Sequence, residues 1–514
     1  MSQILSLEVE RFKSFAAPAH MRLAPLTVLL GRNNSGKSSL IQSLLLLKQT
    51  LSEPRPEVQI QLDGNYLSAF NLRELTTGWP KAGDVVDGPS MTLRWEAEID
   101  VDRALGELRQ PDIANLKKHS KLEWLDNIPS PLTSKLRLHT QEVRGTTSIS
   151  EIGLSSGLEK EELFRFESIQ TGWRCWYRDI ETAKLEVELD HFLPYLLIDR
   201  SQVGPRDRER AYFNAFHLLF SQPLEALKRL LAGFQYLGSI RTSPPSLYKT
   251  SNVAPQEIGV SGELAAQLLH RRQNDLVHYT LPTAEPPELV HERSLVEAVN
   301  DVLKELSINV DLSVEEVQEV GFRLLFGNAS LPHVGRGLTY LLPLVELGLL
   351  ADPLRFEAHG NLPLPDYISA CNQVSHIALE EPEAHLHPKV QSRLANWLVG
   401  LARSNRRILV ETHSDHLVRR LRGLVARAPA QSEIESWLIN NVVIYEVEQD
   451  CQGHSTIRES RLTSTGGLEC WPDDFMDEGS EEDSAIYYAS LAKEPAADYS
   501  SLRIVHDPSD EPNL

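Results

Sequence analysis

Apolar residues alternate with polar ones near the N-terminus (Leu5, Leu7, Val9), which is the period of a strand with one buried face. Leu26–Leu30 reads LTVLL, a continuous apolar run suited to a strand covered on both sides. It leads into the loop GRNNSGKSS and then a leucine-rich helix predicted over 39–50, which Pro54 and Pro56 bring to an end. Between about 58 and 199 the pattern becomes short alternating runs: VQIQLDG, MTLRWEAEID, SKLRLHTQEV, FRFESIQT and KLEVELD. These predict a β-rich lobe or insertion. Helical periodicity then takes over. AYFNAFHLLF and LEALKRLLAGF flank Pro223, GELAAQLLHRR and SLVEAVNDVLKEL follow, and 206–306 reads as mainly α. Core-like signals return with HIALEEPE and a helix predicted over 388–403, then RILVETHSD and a helix over 415–425. A strand over 441–448, with 455–460 as its hairpin partner, closes the pattern. The tail from Asp473 opens on the acidic cluster DDFMDEGSEED and reads as largely mobile. No sustained heptads occur, which argues against a long coiled-coil arm.

Length and composition narrow the class without naming a chemistry. At 514 residues the chain has room for two to four domains or one elaborated core. No run reaches the roughly 18 apolar residues of a membrane span, and the first residues lack a secretory hydrophobic core. Four scattered cysteines (Cys175, Cys371, Cys451, Cys470) show no metal-ligand spacing and fit reduced thiols in a cytoplasmic protein. A net charge of −21 argues against a protein that coats nucleic acid along its whole surface. Local basic clusters (Arg206, Arg208, Arg210; Arg403, Arg406, Arg407, Arg419, Arg420, Arg422, Arg427) leave DNA or RNA open as a partner, beside the plainer reading of solvated helix faces.

Three segments carry candidate chemistry. Gly31, Arg32, Asn33, Asn34, Ser35, Gly36, Lys37 and Ser38 match G-x-x-x-x-G-K-[ST] without a mismatch, between a strand and a helix, and Ser39 continues the match. Glycines let successive N–H groups turn toward a phosphate, Lys37 suits the β- and γ-phosphates, and the Ser38 hydroxyl suits Mg²⁺. Ile377-Ala378-Leu379-Glu380-Glu381 places two carboxylates where an apolar strand stops. Glu380 would support Mg²⁺, directly or through water, and Glu381 would polarise the attacking water; an acidic turn before a helix is the alternative. His413, at the end of the next strand, could reach a γ-phosphate or serve the turn alone. His385 and His387 lack the further Cys or His that a zinc site needs, and His387 before Pro388 reads as a turn residue.

In this order, GRNNSGKSS, IALEEPEAHLHP and VETHSDHL resemble the ABC-type ATPases of the RecF/SMC-like group. The stretches YLGSIR, IGVSGE, VGRGLTYLLPL and GLECWPDDF are similar to a closer set, single-chain bacterial AAA-family ATPases without arms, which often occur in anti-phage defence operons. The resemblance covers both ends of the chain and hardly touches 51–206. It implies ATP and Mg²⁺ as ligands, with Lys37, Ser38, Glu380, Glu381 and His413 in the roles given above. It also implies a signature segment, Val334 to Thr339, closing over the ATP of another subunit through Gly335 and Gly337. Here Gly335 stands where ABC signatures usually carry serine. The family's Mg-contacting glutamine has two candidates, Gln49 and Gln61.

The expected architecture is α/β: an ABC-type P-loop ATPase head with a mostly parallel central sheet, an antiparallel β-rich lobe and a helical lobe. Residues 1–50 and 334–460 would form the two halves of the core, 51–205 the β-rich lobe, 206–333 the helical lobe and 461–514 a tail. The expected active unit is a homodimer or higher homo-oligomer in the cytoplasm, away from membranes. A nuclease or toxin would be its protein partner, with RecF-like repair or a low-turnover ATP-bound scaffold as alternatives.

Overall fold

The run LTVLL forms a strand buried at all five positions, and everything that positions the candidate site is arranged around it. The computed structural model describes residues 1–470 except 82–84, 123–126, 160, 251–254, 282–288, 319, 356 and 372. The tail from Asp473 lies outside the described residues.

Strand β1 (Gln3–Glu10) pairs with β2 (Ala19–Arg22), after which β3 (Leu26–Leu30) runs through the glycine loop into α1 (Lys37–Leu51). Next come β4 (Val85–Ala97), the short helices α2 (Val101–Gly106) and α3 (Gln110–His119), and five strands: β5 (Leu132–Val143), β6 (Thr146–Ser156), β7 (Phe164–Ile169), β8 (Gly172–Tyr177) and β9 (Ile180–Thr182). These form one antiparallel sheet in the order β2-β1-β4-β5-β6-β7-β8-β9. The β-rich stretch therefore continues a sheet begun by the first residues of the chain. A hairpin of β10 (Leu185–Asp190) and β11 (Leu193–Ile198) follows. The expected strand VQIQLDG is absent as such; only an isolated bridge joins Asp63 to Ser68. Side chains of α1 satisfy this backbone instead. Thr50 Oγ1 accepts the Gln61 N–H at 3.0 Å, and Gln49 donates to the carbonyls of Gln61 (2.6 Å) and Leu67 (3.0 Å).

The two helices expected around Pro223 are α4 (Arg208–Phe216) and α5 (Gln222–Ala232), joined by a π-helical turn at His217–Ser221. Proline offers no N–H to the preceding turn, and a wider turn accommodates it. The Pro223 carbonyl accepts from Trp95 Nε1 at 2.8 Å, which ties α5 to the antiparallel sheet. The mainly helical stretch also supplies strands. After β12 (Gln235–Leu237) and α6 (Ala265–Arg272) come β13 (Leu276–Tyr279), β14 (Leu289–Ser294) and α7 (Leu295–Glu305). A small antiparallel sheet of β15 (Leu312–Val317), β16 (Gly321–Phe326) and β17 (Ala329–Ser330) precedes α8 (Arg336–Leu350). Short β18 (Leu362–Pro363) and α9 (Leu364–Ala370) lead to β19 (Ser375–Glu380), α10 (Pro388–Arg403), β20 (Arg406–Glu411), α11 (Asp415–Arg427) and α12 (Glu433–Asn441). The hairpin of β21 (Val442–Gln449) and β22 (Ser455–Arg461) is the last pair of strands among the described residues.

The central sheet has the order β12-β19-β20-β3-β21-β22, parallel throughout except for the last pair. Its middle strands are apolar on both faces, as helix-covered parallel strands must be. Parallel alignment places the C-terminal ends of β3, β19 and β20 along one edge.

At the opposite end of β20 lies a buried ionic cluster. The Asp352 carboxylate accepts from His278 Nδ1 (2.9 Å), the His278 N–H (2.9 Å) and Tyr367 Oη (2.8 Å), with an Arg406 guanidinium nitrogen at 3.8 Å. Arg406 also donates to the His278 carbonyl at 2.8 Å. Burial alone would push the Asp352 carboxyl up; His278 and Arg406 outweigh it and hold the group below the usual carboxylate range.

A second buried carboxyl has no such company. Glu346, in α8, is fully buried, and neither of its oxygens has a hydrogen-bond partner among the described residues. Burial raises its pKa well above the ordinary value. Below the ordinary carboxylate pKa both folded and unfolded chains hold the proton, and no penalty exists. Above it the unfolded chain releases the proton while the folded chain keeps it, so stability falls as pH rises, by up to about 1.4 kcal/mol per pH unit. Glu346→Gln is expected to remove this loss. Denaturation midpoints between pH 5 and 8 should fall more steeply for the wild type than for the variant; parallel slopes would show an ionised Glu346 in the native state.

Candidate active site

The loop between β3 and α1 depends on backbone angles that its sequence permits. Gly31 (φ 148°) and Gly36 (φ 103°) have positive φ, which side-chain-bearing residues rarely adopt, and Asn34 (φ 65°) tolerates the left-handed helical region. A Cβ on Gly31 would lie 2.2 Å from the Val447 carbonyl, and one on Gly36 would lie 2.7 Å from the hydroxyls of Ser14 and Ser455. The loop rests on the start of β22. Ser455 Oγ donates to the Ser35 carbonyl at 2.6 Å, and its N–H donates to the Ser14 carbonyl at 2.8 Å. Helix α1 starts at Lys37 with no side-chain cap and no acidic residue in its first turn, so its positive end faces the loop. Asn33 and Asn34 are exposed at the tip, Ser35 is buried, and the Ser39 N–H closes the turn onto the Gly36 carbonyl at 3.0 Å. Lys37 Nζ donates to the carbonyls of Gly31 (3.0 Å) and Arg32 (2.8 Å) and lies 3.9 Å from Glu411. Burial lowers its pKa against the opposing pull of Glu411, Glu381 and Glu383.

Strand β19 ends in Glu380, directly opposite Glu411 on β20 in the ladder. Glu380 is buried beside the Tyr236 hydroxyl and the Ser239 N–H, with Lys13 as the neighbouring cation. Burial raises its pKa, those two hydrogen bonds lower it, and Glu381 adds a like charge. Glu381 takes a left-handed conformation (φ 44°) that a non-glycine residue rarely holds unless its surroundings impose it. Two contacts impose it here. Its N–H donates to the Glu411 carbonyl at 2.8 Å, and its carbonyl accepts from Arg241 at 3.2 Å. Arg241 also donates to the carbonyls of Glu380 (3.2 Å) and Tyr340 (3.1 Å). Burial brings its guanidinium down to about 10.

His413 follows the end of β20 and is exposed. Its N–H donates to Glu383 Oε1 at 2.8 Å, which joins the turn after Glu381 to the turn bearing the imidazole. Burial and then the Lys37 charge lower its pKa, so the ring is neutral near pH 7 and offers one N–H and one lone pair.

The residues 31–38, 380–381 and 413 predicted from sequence thus stand at the ends of three adjacent parallel strands, β3, β19 and β20. Sequence reasoning missed Glu411, whose Oε1 accepts the Ser38 hydroxyl at 3.0 Å. Burial and then repulsion from Glu380 push its carboxyl up to about 7. Glu411 stands two places before His413, but only the strand register puts it beside Glu380. Glu383, Tyr236, Arg241 and Lys13 were missed for the same reason. Neither candidate glutamine faces this cluster: Gln49 clamps residues 61–67, and Gln61 donates to the Asp63 carbonyl at 2.8 Å.

Buried oxygen donors suit a small hard cation. Glu380 Oε1 and Glu411 Oε2 are buried without a hydrogen-bond partner among the described residues, and the Ser38 hydroxyl touches the second of these carboxylates. The donor set therefore fits Mg²⁺. His387 instead caps α10, its Nδ1 accepting the Lys389 N–H at 3.2 Å, and the described residues contain no group of three or more His, Cys, Asp or Glu placed to hold a metal.

Gly335 is the N-cap of α8. A Cβ there would meet nothing within 4 Å, whereas one on Gly337 would lie 2.9 Å from the His385 carbonyl. The Tyr340 ring stands edge-on to His385, 4.8 Å between centroids. The glycine segment therefore packs on the turn that follows Glu381. The expected basic cluster is partly spent inside the protein: Arg406 is fully buried in the Asp352 cluster, and Arg407 is bound to Gln3 and the Leu23 carbonyl. Arg210 forms a paired contact with Asp112. No helix among the described residues is long and apolar enough to cross a membrane.

Comparison with known proteins agrees with this geometry at the level of sequence segments. Residues 26–151 match the family described as "AAA domain, putative AbiEii toxin, Type IV TA system", and residues 369–418 match the family described as "AAA ATPase domain". No curated protein matches the chain. Similar solved structures include an Smc head bound to the C-terminal winged-helix domain of ScpA (12% identity, TM-score 0.38, covering 89% of this chain and 98% of that one). The SMC head domain of Thermotoga maritima (12%, 0.34, 89% and 98%) is another. A third is an Smc head with an extended coiled coil, bound to the C-terminal domain of ScpA derived from Pyrococcus furiosus (10%, 0.36, 95% and 100%). The two segments that hold the phosphate loop, the acidic strand end and His413 are thus similar to AAA-type ATPase domains.

Proposed function

We propose that this chain binds ATP with Mg²⁺ and hydrolyses it, and that nucleotide clamps two or more copies together. The observation that carries this reading is the convergence of the phosphate loop, Glu380 with Glu381, and His413 at one edge of the parallel sheet. Backbone N–H groups of residues 31–38 and the positive end of α1 bind the phosphates, with Lys37 turning from its loop carbonyls to the β- and γ-oxygens. Ser38 and Glu380 hold Mg²⁺, which when bound supplies charge neutralisation at the phosphate oxygens. Glu381 orients and polarises the attacking water, and His413 donates an N–H to the γ-phosphate.

The α8 start supports closure between subunits, because Gly335 presents an uncrowded helix N-terminus. In this reading Gly335 and Gly337 of one copy meet the γ-phosphate held by another. The assembled form controls a partner effector, a nuclease or toxin, in bacterial defence against phage; the toxin–antitoxin description of the family matched by residues 26–151 supports that direction.

The test is ATP turnover by the purified chain, with molar mass recorded by light scattering with and without ATP and Mg²⁺. Gly335→Asp separates closure from folding. A Cβ at 335 meets nothing within 4 Å among the described residues, so thermal stability and ATP binding should match the wild type. The ATP-dependent rise in mass should vanish, and turnover should fall at least tenfold. Unchanged mass and turnover would remove this segment from any interface; absence of ATP binding by the wild type would overturn the reading itself.

A further inference from the structure

The hydrolysis proposed above gives Glu411 no step, although its carboxylate belongs to the oxygen donors gathered at the site. Its relative exposure is 6% and that of Glu380 is 8%. The two face each other across the parallel ladder, where neighbouring side chains on one sheet face sit about 4.8 Å apart. Each keeps one buried oxygen without a partner among the described residues, Oε2 of Glu411 and Oε1 of Glu380. The other Glu411 oxygen accepts the Ser38 hydroxyl at 3.0 Å, which draws this carboxylate to the phosphate loop. The Lys37 ammonium is 3.9 Å away and is engaged with two loop carbonyls. Two adjacent buried carboxylates with unmatched oxygens are costly while both are charged, and a cation between them or a bound proton relieves that cost.

We propose that Glu411, Glu380 and Ser38 form a seat for a small divalent cation that fills before nucleotide arrives, with Glu411 a direct ligand. Three hard oxygens leave positions for water and for incoming phosphate oxygens, the arrangement that six-coordinate Mg²⁺ and Mn²⁺ take. The cation screens the carboxylates from an entering triphosphate, so metal and nucleotide bind in that order. This rests on the ATP-binding reading of the same site.

The experiment uses the full chain and Mn²⁺ as the probe, followed by electron paramagnetic resonance without nucleotide. ATP affinity is measured separately in EDTA. Wild-type protein is expected to take up one Mn²⁺ per chain, and Glu411→Gln to weaken that uptake at least tenfold. In EDTA the same variant should bind ATP as tightly as the wild type or more tightly, because one negative charge beside the phosphates is gone. Glu411→Asp, which keeps the charge but withdraws the carboxylate by one methylene, is the second variant and should also lose about tenfold in Mn²⁺ affinity. No uptake by the wild type, or unchanged affinity in whichever variant folds, overturns the proposal. Wild-type protein that binds Mn²⁺ but no ATP would instead overturn the ATPase reading and leave the cation seat standing.

Discussion

Glu381→Gln is expected to lower ATP turnover by roughly 10²- to 10⁴-fold while leaving nucleotide binding and ATP-dependent assembly in place. The side chain is held at the site by its backbone. The Glu381 N–H is bound to the Glu411 carbonyl and its own carbonyl to Arg241, and both bonds survive the substitution. Glutamine keeps the length and the hydrogen-bonding capacity of the side chain and loses only the ability to take a proton from water. A structural role would lower stability and ATP affinity together with turnover. Turnover within about threefold of the wild type would assign the water-activating role to a neighbouring carboxylate, Glu383 or Glu411.

Asp352→Ala is expected to cost about 3–5 kcal/mol of folding stability, read from denaturant titration. The carboxylate is enclosed by His278, Tyr367 and Arg406, none of which can reach water to replace it. Removing it leaves a buried guanidinium without its counter-charge, and leaves His278 Nδ1, the His278 N–H and Tyr367 Oη without their acceptor. Because the Asp352 pKa lies below the usual range, its contribution is present above the unfolded carboxylate pKa and is lost as pH falls through the lower folded value. The difference between wild type and variant should therefore shrink below about pH 4. A cost under 1 kcal/mol at pH 7 would mean that the cluster relaxes or hydrates. Arg406 opens the same strand that ends in Glu411, so the cluster anchors one end of β20 and the candidate site occupies the other.

Local chemistry made much of this protein readable in one dimension. LTVLL is buried throughout because a strand between two helical layers has no polar face to offer, and β3 keeps the predicted bounds. Helix α10 starts at Pro388 as predicted, since proline suits a first turn and His387 caps it. The hairpin of β21 and β22 appears where alternation placed it. Where alternation misled, at VQIQLDG, side chains from α1 took the hydrogen bonds that a neighbouring strand would have supplied. Short β12, hidden in a helix-rich stretch, joins the central sheet because Tyr236 and Leu237 are buried beside β19.

The glycine loop, the pair of carboxylates at a strand end and the following histidine are legible along the chain, because each depends on near neighbours: strand periodicity, turn-permitting residues and helix starts. Which distant groups share that site is set by the folded sheet. The 4.8 Å spacing of a parallel ladder, rather than any local pattern, sets Glu411 beside Glu380, and sheet order brings Ser455 beneath a loop 420 residues earlier in the chain. Register and strand order are settled by burial summed over the whole core, and no short stretch of sequence carries that sum.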